Sequence, residues 1–267
     1  AGVAYHTLLI EGLRVDSPLR RFIDRSPTVQ RKFWNYCPEP PAKHWLSRLP
    51  QTFAEYEKWF GGKPRAQLKA KERKLHAACG SVVQLQRVTS PQDVPAFVES
   101  VAQIAKLSWQ GRKLGQTIEV GDRQSERMAE FAAKGWFRGY LLRSETGPIA
   151  FVIGYQSDGT YHYMQVGYDP KWSEFSPGNV TLYRLIEDLY AHDRPDVVDF
   201  GCGDNQYKRV FGNESFDEQS VYLLRRSLYT GLVRMTHRAL FKLTDFVRVG
   251  LRRTGLLERV RRSLRSA

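Results

Sequence analysis

Residues 137–169 hold three apolar-rich runs, "FRGYLLRS", "GPIAFVIGYQ" and "TYHYMQVGYD", joined only by the turn sequences "ETG" and "SDG". Linkers this short connect antiparallel neighbours, because a parallel pair needs a crossover of a dozen or more residues. The centre of the sheet is therefore a three-stranded antiparallel meander. Its strands are apolar enough to need helices packed against them.

The flanking sequence supplies those helices. "SVVQLQRVT" alternates apolar and polar residues like a half-buried strand. It is followed by a helix with Ser90 as N-cap and Pro91 at the first position, and then by "DRQSERMAEFAAKGW", capped by Asp122. Beyond the meander, residues 178–192 place Leu182, Ile186 and Leu189 on one helical face. "PDVVDFG" is a short buried strand, "DNQYKRVFG" a helical segment ended by Gly212, and "SFDEQSVYLLRR" a closing strand.

The ends are different in character. Residues 1–35 read as a short strand, a turn at "DSPL" and a helical run to Trp34. Proline-rich "CPEPPAKHWLSRLP" should break regular structure, and residues 51–79 read as a basic helix or helix pair broken at Gly61-Gly62. The chain enters its first strand almost at once, so it is expected to be the remainder of a longer protein. The predicted organisation is a partial lobe with a basic connecting helix over 1–80, a main domain over 81–226 and a basic helical tail over 227–267.

Three widely spaced cysteines, Cys37, Cys79 and Cys202, show no zinc-ligand spacing and read as reduced thiols of a cytoplasmic protein. No metal is expected. No apolar run reaches the ~20 residues that span a bilayer.

"VVDFGCGDNQYK", residues 197–208, looks at first like the glycine turn of an S-adenosylmethionine methyltransferase. That motif closes the first strand of a doubly wound sheet, most of which must follow it. Here only 68 residues follow Asp199, and the strands before it are antiparallel. The methyltransferase is the weakest reading, and the glycines are better explained as the turn from strand into helix.

The order of elements resembles the GNAT acyltransferase fold. "LSWQG" (107–111), the stretch from "WFRGYLL" to "FSPG" (136–178) and "VDFGCGDNQYKRVFG" (198–212) are similar to the CelD-like branch, linked to polysaccharide biosynthesis and related to Fem-type peptidyltransferases. "AEYEKWFGGKPRAQLKAKERKL" (54–75) resembles the basic helix that precedes this domain there. The resemblance implies an α+β fold, a mixed but mostly antiparallel sheet flanked by helices.

It also implies a site. Acyl transfer needs donors for a donor anion, an oxyanion stabiliser and a proton source for the leaving group. Ser176, Gly178 and Asn179, at a helix start, are the cofactor-binding candidates for acetyl-CoA or another acyl-CoA. The family's usual loop carries a basic residue and two glycines. Only Gly178 remains here, and Pro177 removes an N–H, which leaves acyl-CoA and aminoacyl-tRNA both open as donors.

Tyr207 matches a tyrosine that donates a proton to the leaving thiolate, and Lys208 the lysine that Fem-type enzymes set near the reacting centre. Asp199 would orient Lys208 or take a proton from the amine, or else simply cap the turn. Trp109, His162 and Tyr168 are the substrate-binding candidates, with ordinary packing the plainer reading of each.

The implied activity is acyl transfer to an amine or hydroxyl of a sugar or lipid-linked acceptor. The alternatives are a Fem-type transferase, with tRNA as its nucleic-acid partner, and a non-catalytic tether for polysaccharide enzymes.

Twelve Lys and Arg oppose two acids from Arg225 onward, so this tail carries ten of the chain's thirteen net positive charges. At 100° per residue, Leu228, Leu232, Met235 and Leu243 share one side with Phe246 and Val247, while Arg234, Arg238, Lys242, Asp245 and Arg248 share the other. Phe241 is the exception. Such a helix suits an anionic membrane surface, and implies peripheral attachment at the inner face of the membrane. Docking of the apolar stripe on the domain itself is the other reading.

Overall fold

The computed structural model describes residues 6–107 and 122–253, the side chains of 122 and 245–253 excepted. In chain order the elements are β1 (Thr7–Arg14), α1 (Pro18–Arg25), α2 (Pro27–Lys32), β2 (Phe33–Tyr36), β3 (Ala42–Arg48), α3 (Phe53–Phe60) and α4 (Gly62–Cys79). They continue with β4 (Gln84–Val88), α5 (Val94–Leu107), α6 (Asp122–Ala133), β5 (Phe137–Ser144), β6 (Gly147–Ser157) and β7 (Thr160–Tyr168). The last are α7 (Pro177–His192), β8 (Val197–Cys202), α8 (Gln206–Phe211), β9 (Glu214–Arg225) and α9 (Leu228–Arg253). Two compact units result: His44–Ser215, and Ala1–Lys43 together with Phe216–Ala267.

In the His44–Ser215 unit the strand order is β3-β8-β7-β6-β5-β4. Every pairing in that run is antiparallel except β7 with β8. The sheet is covered on both faces. Tyr140, Val152 and Tyr161 pack with Leu182, Leu185 and Ile186 of α7, while Phe137, Phe151 and Ile153 pack with Phe97 and Val101 of α5 and Met128 of α6. Double coverage explains why β6 is nearly continuous in apolar residues. Thr52 and Glu55 form a reciprocal capping box that starts α3, and Gly61, at φ 88°, separates it from α4.

One irregularity shapes the sheet. β7 pairs with β8 only over Thr160–His162 opposite Val197–Asp199. It stays paired with β6 as far as Tyr168. Past His162 the two parallel strands part, and the β7 edge from Tyr163 to Tyr168 is left open among the described residues. Gly154 pairs with Tyr163 and Ile153 with Gln165, so Met164 is the extra residue of a bulge that bends β7 at this place.

Two expectations need correction. The proline-rich stretch does contain a strand: Pro38, Pro40 and Pro41 all precede Ala42, and the proline-free run after them pairs with β8. The helical run does not reach Trp34. Ser26 ends α1, its hydroxyl accepts from the Val29 N–H to start α2, and Phe33–Tyr36 then pair with β9.

In the other unit β1 and β2 both pair antiparallel with β9, and Leu13, Ile23, Val221 and Leu223 form its core. Helix α9 lies on β2 through Arg234, which covers the Trp34 ring at 4.7 Å, and His237, whose Nδ1 is 2.6 Å from the Tyr36 hydroxyl. A Cβ on Gly231 would sit 2.9 Å from the Trp34 ring, so glycine permits this approach. Phe241 stacks on His237, which explains its place on the polar side.

Candidate functional site

The parting of β7 from β8 begins at His162 and Asp199, and the polar side chains of the unit converge there. Asp199 Oδ1 accepts from His44 Nε2 at 2.7 Å and from the Gly201 N–H at 2.7 Å. Its other oxygen lies 3.5 Å from His162 Nδ1. Burial alone would raise the Asp199 pKa. The His44 hydrogen bond, the Gly201 N–H and the two imidazoles outweigh it and hold the carboxyl below its ordinary value. Asp199 is thus an anion at neutral pH with three donors or cations around it.

His44 reaches Asp199 because of a second bulge: Trp45 pairs with Gly201 and Leu46 with Asp199, which leaves Phe200 as the extra residue. Gly201 and Gly203 hold φ of 69° and 104°, the left-handed region that favours glycine. The two glycines build the turn, as the simpler reading of "VDFGCGD" has it.

Lys208 on α8 is 4% exposed, and its ammonium donates to the carbonyls of Gly201 (3.1 Å) and Cys202 (2.6 Å). It therefore clasps the same turn that presents Asp199. Tyr207 is half-buried against Tyr163 and Phe200. Burial pushes its phenol pKa up, so the hydroxyl stays protonated and can donate.

At the far end of the open β7 edge stands the start of α7. Ser176 takes φ 50°, and its hydroxyl accepts from Lys71 Nζ of α4 at 2.6 Å instead of capping the helix. A Cβ on Gly178 would lie 3.7 Å from Val166 and 3.8 Å from Tyr168, and the Asn179 N–H bonds Ser176 O. A cation and a helix N-terminus thus meet beside the end of β7.

Residues 62–209 match the acetyltransferase (GNAT) domain family. The chain belongs to that family.

Among GNAT-like solved structures, FemX is similar with a TM-score of 0.59 at 10% identity, over 86% of this chain and 74% of that one. L-PGS from Bacillus licheniformis gives 0.54 at 14%, over 86% and 72%. The C-terminal domain of a putative lysylphosphatidylglycerol synthetase from Agrobacterium fabrum gives 0.53 at 10%, over 86% and 70%. At these identities the likeness is one of fold. No curated protein matches the chain.

The GNAT domain places the predicted residues in three positions. Asp199 and His162 meet where the strands part, with the Lys208 ammonium on the turn after Asp199. Tyr207 packs on Tyr163 and Phe200, whose side chains belong to the α7 face of the sheet. Ser176, Gly178, Asn179 and Tyr168 meet at the start of α7. Trp109 lies outside the described residues. Sequence reasoning missed His44, which sits in the stretch assigned to irregular structure, and Lys71, whose basic helix carries no motif that singles it out.

Proposed function

We propose that this GNAT domain transfers an acyl group from acyl-CoA to an amine or hydroxyl of a sugar or lipid-linked acceptor, in polysaccharide biosynthesis. The observation that carries the reading is the opening between β7 and β8. His162 and Tyr168 lie six positions apart on the strand, at most roughly 20 Å at 3.3 Å per residue. A pantetheine arm can bridge that interval. Its phosphate end would meet Lys71 and the α7 N-terminus, and its thioester would reach the Asp199 end.

The chemistry follows from the groups at each place. The acceptor nucleophile attacks the thioester carbonyl, and backbone N–H groups of the open β7 edge can hold the oxyanion. The C–S bond breaks, and Tyr207, protonated at neutral pH, can supply the leaving thiolate with a proton.

Calorimetric titration with coenzyme A tests the donor. Lys71→Ala should weaken binding about tenfold, the loss of one charge-assisted hydrogen bond of ~1.5 kcal/mol. Wild-type chain that does not bind coenzyme A but forms a salt-sensitive complex with aminoacyl-tRNA would transfer the reading to the Fem-type alternative. The FemX-like fold and the basic residues of α4 support that alternative.

The tail supports a place at an anionic membrane surface. The α9 face carrying Arg234, His237 and Phe241 is the packed one. Leu228, Leu232, Met235 and Leu243, at helical spacing on the opposite side, all stand exposed, with Arg238 and Lys242 alongside. No helix among the described residues is long and apolar enough to cross a membrane. The outward stripe fits the interfacial mode instead, with about 1 kcal/mol per basic residue near anionic lipid. The chain should float with phosphatidylglycerol vesicles and not with phosphatidylcholine ones. The double change Leu232→Asp and Met235→Asp should abolish flotation, and flotation unaffected by it would end this reading.

A further inference from the structure

The polar cluster at the strand parting opens onto one face of the sheet, and that face carries a cleft. His162 is the direct cross-strand partner of Tyr155 on β6, so the two side chains share a face. Tyr155 lines a cleft of about 640 Å³ with Ile153, Met164 and Gln165 on the strands and Arg123, Arg127 and Phe131 on α6. Arg123 and Arg127, four apart on the helix, lie one turn from each other on the same side.

We infer that this cleft is the acceptor site, that Arg123 and Arg127 hold a phosphate on the acceptor, and that His162 takes the acceptor's proton. This deepens the transferase reading above and rests on it. Three observations carry it.

First, the Asp199 carboxylate is the natural partner for a proton on His162 Nδ1, which lies 3.5 Å away. That tautomer leaves Nε2 as the lone-pair nitrogen, and among the described residues no side chain hydrogen-bonds it. Second, the carboxylate is held from behind by His44 and by the Gly201 N–H. It can therefore orient His162 and stabilise the imidazolium without being moved itself, the division of roles in Ser-His-Asp systems. Third, Arg123 and Arg127 line the cleft with no acidic partner among the described residues, and a phosphate supplies two acceptor oxygens for that pair.

The step balances. The acceptor N–H or O–H gives its proton to His162 Nε2 as its heteroatom bonds to the acyl carbon. The C–S bond breaks, and the thiolate gains one proton from Tyr207. His162 gives its proton to solvent and the Tyr207 phenolate regains one from solvent, so acyl donor and acceptor become acylated acceptor and free thiol. Asp199 and His44 are positioning residues in this scheme and His162 the catalytic one.

Two measurements on the full chain test it. In ¹⁵N spectra of the imidazoles, wild-type His162 should be the Nδ1–H tautomer, and Asp199→Asn should abolish that preference. An Nε2–H tautomer in the wild type, or a tautomer indifferent to Asp199→Asn, would overturn the relay. This readout needs no donor, so it scores the relay even where coenzyme A fails to bind and the transferase reading itself falls.

The second measurement concerns the cleft. Glucosamine 6-phosphate should bind at least tenfold tighter than glucosamine, and Arg127→Ala should remove the difference. O-phosphoethanolamine, which carries the same chemistry on a lipid headgroup, tells which source of phosphate is preferred. Equal binding of the phosphorylated and neutral probes would overturn the acceptor assignment.

Acetyl transfer to the better probe should fall about a hundred- to ten-thousand-fold in kcat in His162→Gln, with donor affinity retained. Full kcat in His162→Gln would exclude it as the base.

Discussion

Lys208→Met is expected to destabilise the His44–Ser215 unit by about 3 kcal/mol and to remove transfer activity with it. The ammonium is buried and donates to two backbone carbonyls of one turn, those of Gly201 and Cys202. Methionine fills similar space and donates nothing. The two carbonyls belong to half-buried Gly201 and exposed Cys202, and each left without its donor costs at most about 1–3 kcal/mol.

The turn is also what aims Asp199, whose Oδ1 takes the Gly201 N–H. Loosening it separates the carboxylate from both histidines. Urea unfolding should show a lower midpoint at unchanged slope, and Lys208→Arg should not restore it, because a planar fork cannot replace a point donor between two carbonyls. An unchanged midpoint would mean that the turn stands without the ammonium. Fem-type resemblance singled out Lys208 as a charge near the reacting centre; in the structure its ammonium bonds the backbone of the turn that presents Asp199.

Gly154→Ala should be the most damaging small substitution in the sheet. A Cβ at this position would lie 2.1 Å from the Tyr161 hydroxyl and 2.4 Å from its ring carbon Cζ. Tyr161 cannot yield, since it is fully buried, packs edge-on against Tyr140 and sits in the core beneath α7. Overpacking of this kind costs about 1–3 kcal/mol or more. Adding Tyr161→Phe to the Gly154→Ala variant should recover only part of the loss, because the ring carbon clash remains.

Gly62→Ala provides the control, with nothing within 4 Å of its Cβ position and an expected change within about 0.5 kcal/mol. Equal thermal or urea midpoints for Gly154→Ala and Gly62→Ala would show that β6 and β7 can separate locally. That result would matter for function, since the same two strands carry the Met164 bulge and the open edge.

What could be read from the chain and what could not divides along sequence distance. The meander over 137–169 was legible because hairpin turns are local: "ETG" and "SDG" admit one connection, and the apolar runs on either side must pair with each other. The α5 and α7 helices were legible from a 3.6-residue period rather than from caps. Ser90, expected as N-cap, makes no capping hydrogen bond and leads through a 3-10 turn over Pro91–Asp93 into α5. The Ser176 hydroxyl bonds Lys71 instead of capping α7. Asp199, Tyr207 and Lys208 stood in one short word, so the pattern of a known family could reach them.

His44 had no such word. Its partner is 155 residues away, and its strand is short, follows three prolines and gains its stability from pairing with β8. β2 was hidden for the same reason: four residues, "FWNY", pair with the distant end of β9 and carry no period of their own. Lys71 was one basic residue among many until α4 brought it to Ser176, 105 positions on.

The tail shows the division most clearly. Its sequence alone determined that residues 228–243 make a two-faced helix with excess positive charge, because the period and the composition are local quantities. Which face turns inward was decided only by tertiary contacts. Trp34 offers an aromatic face to Arg234, Tyr36 a hydroxyl to His237, and Gly231 the space for close approach. These contacts pack the Arg234 and His237 edge of the helix and leave the leucines exposed, with Arg238 and Lys242 exposed beside them. The same holds at the site. Local sequence placed a carboxylate at the end of a strand, but only the parting of β7 from β8 set two histidines around it. Strand pairing is a nonlocal choice, made by whichever distant edge satisfies the backbone hydrogen bonds.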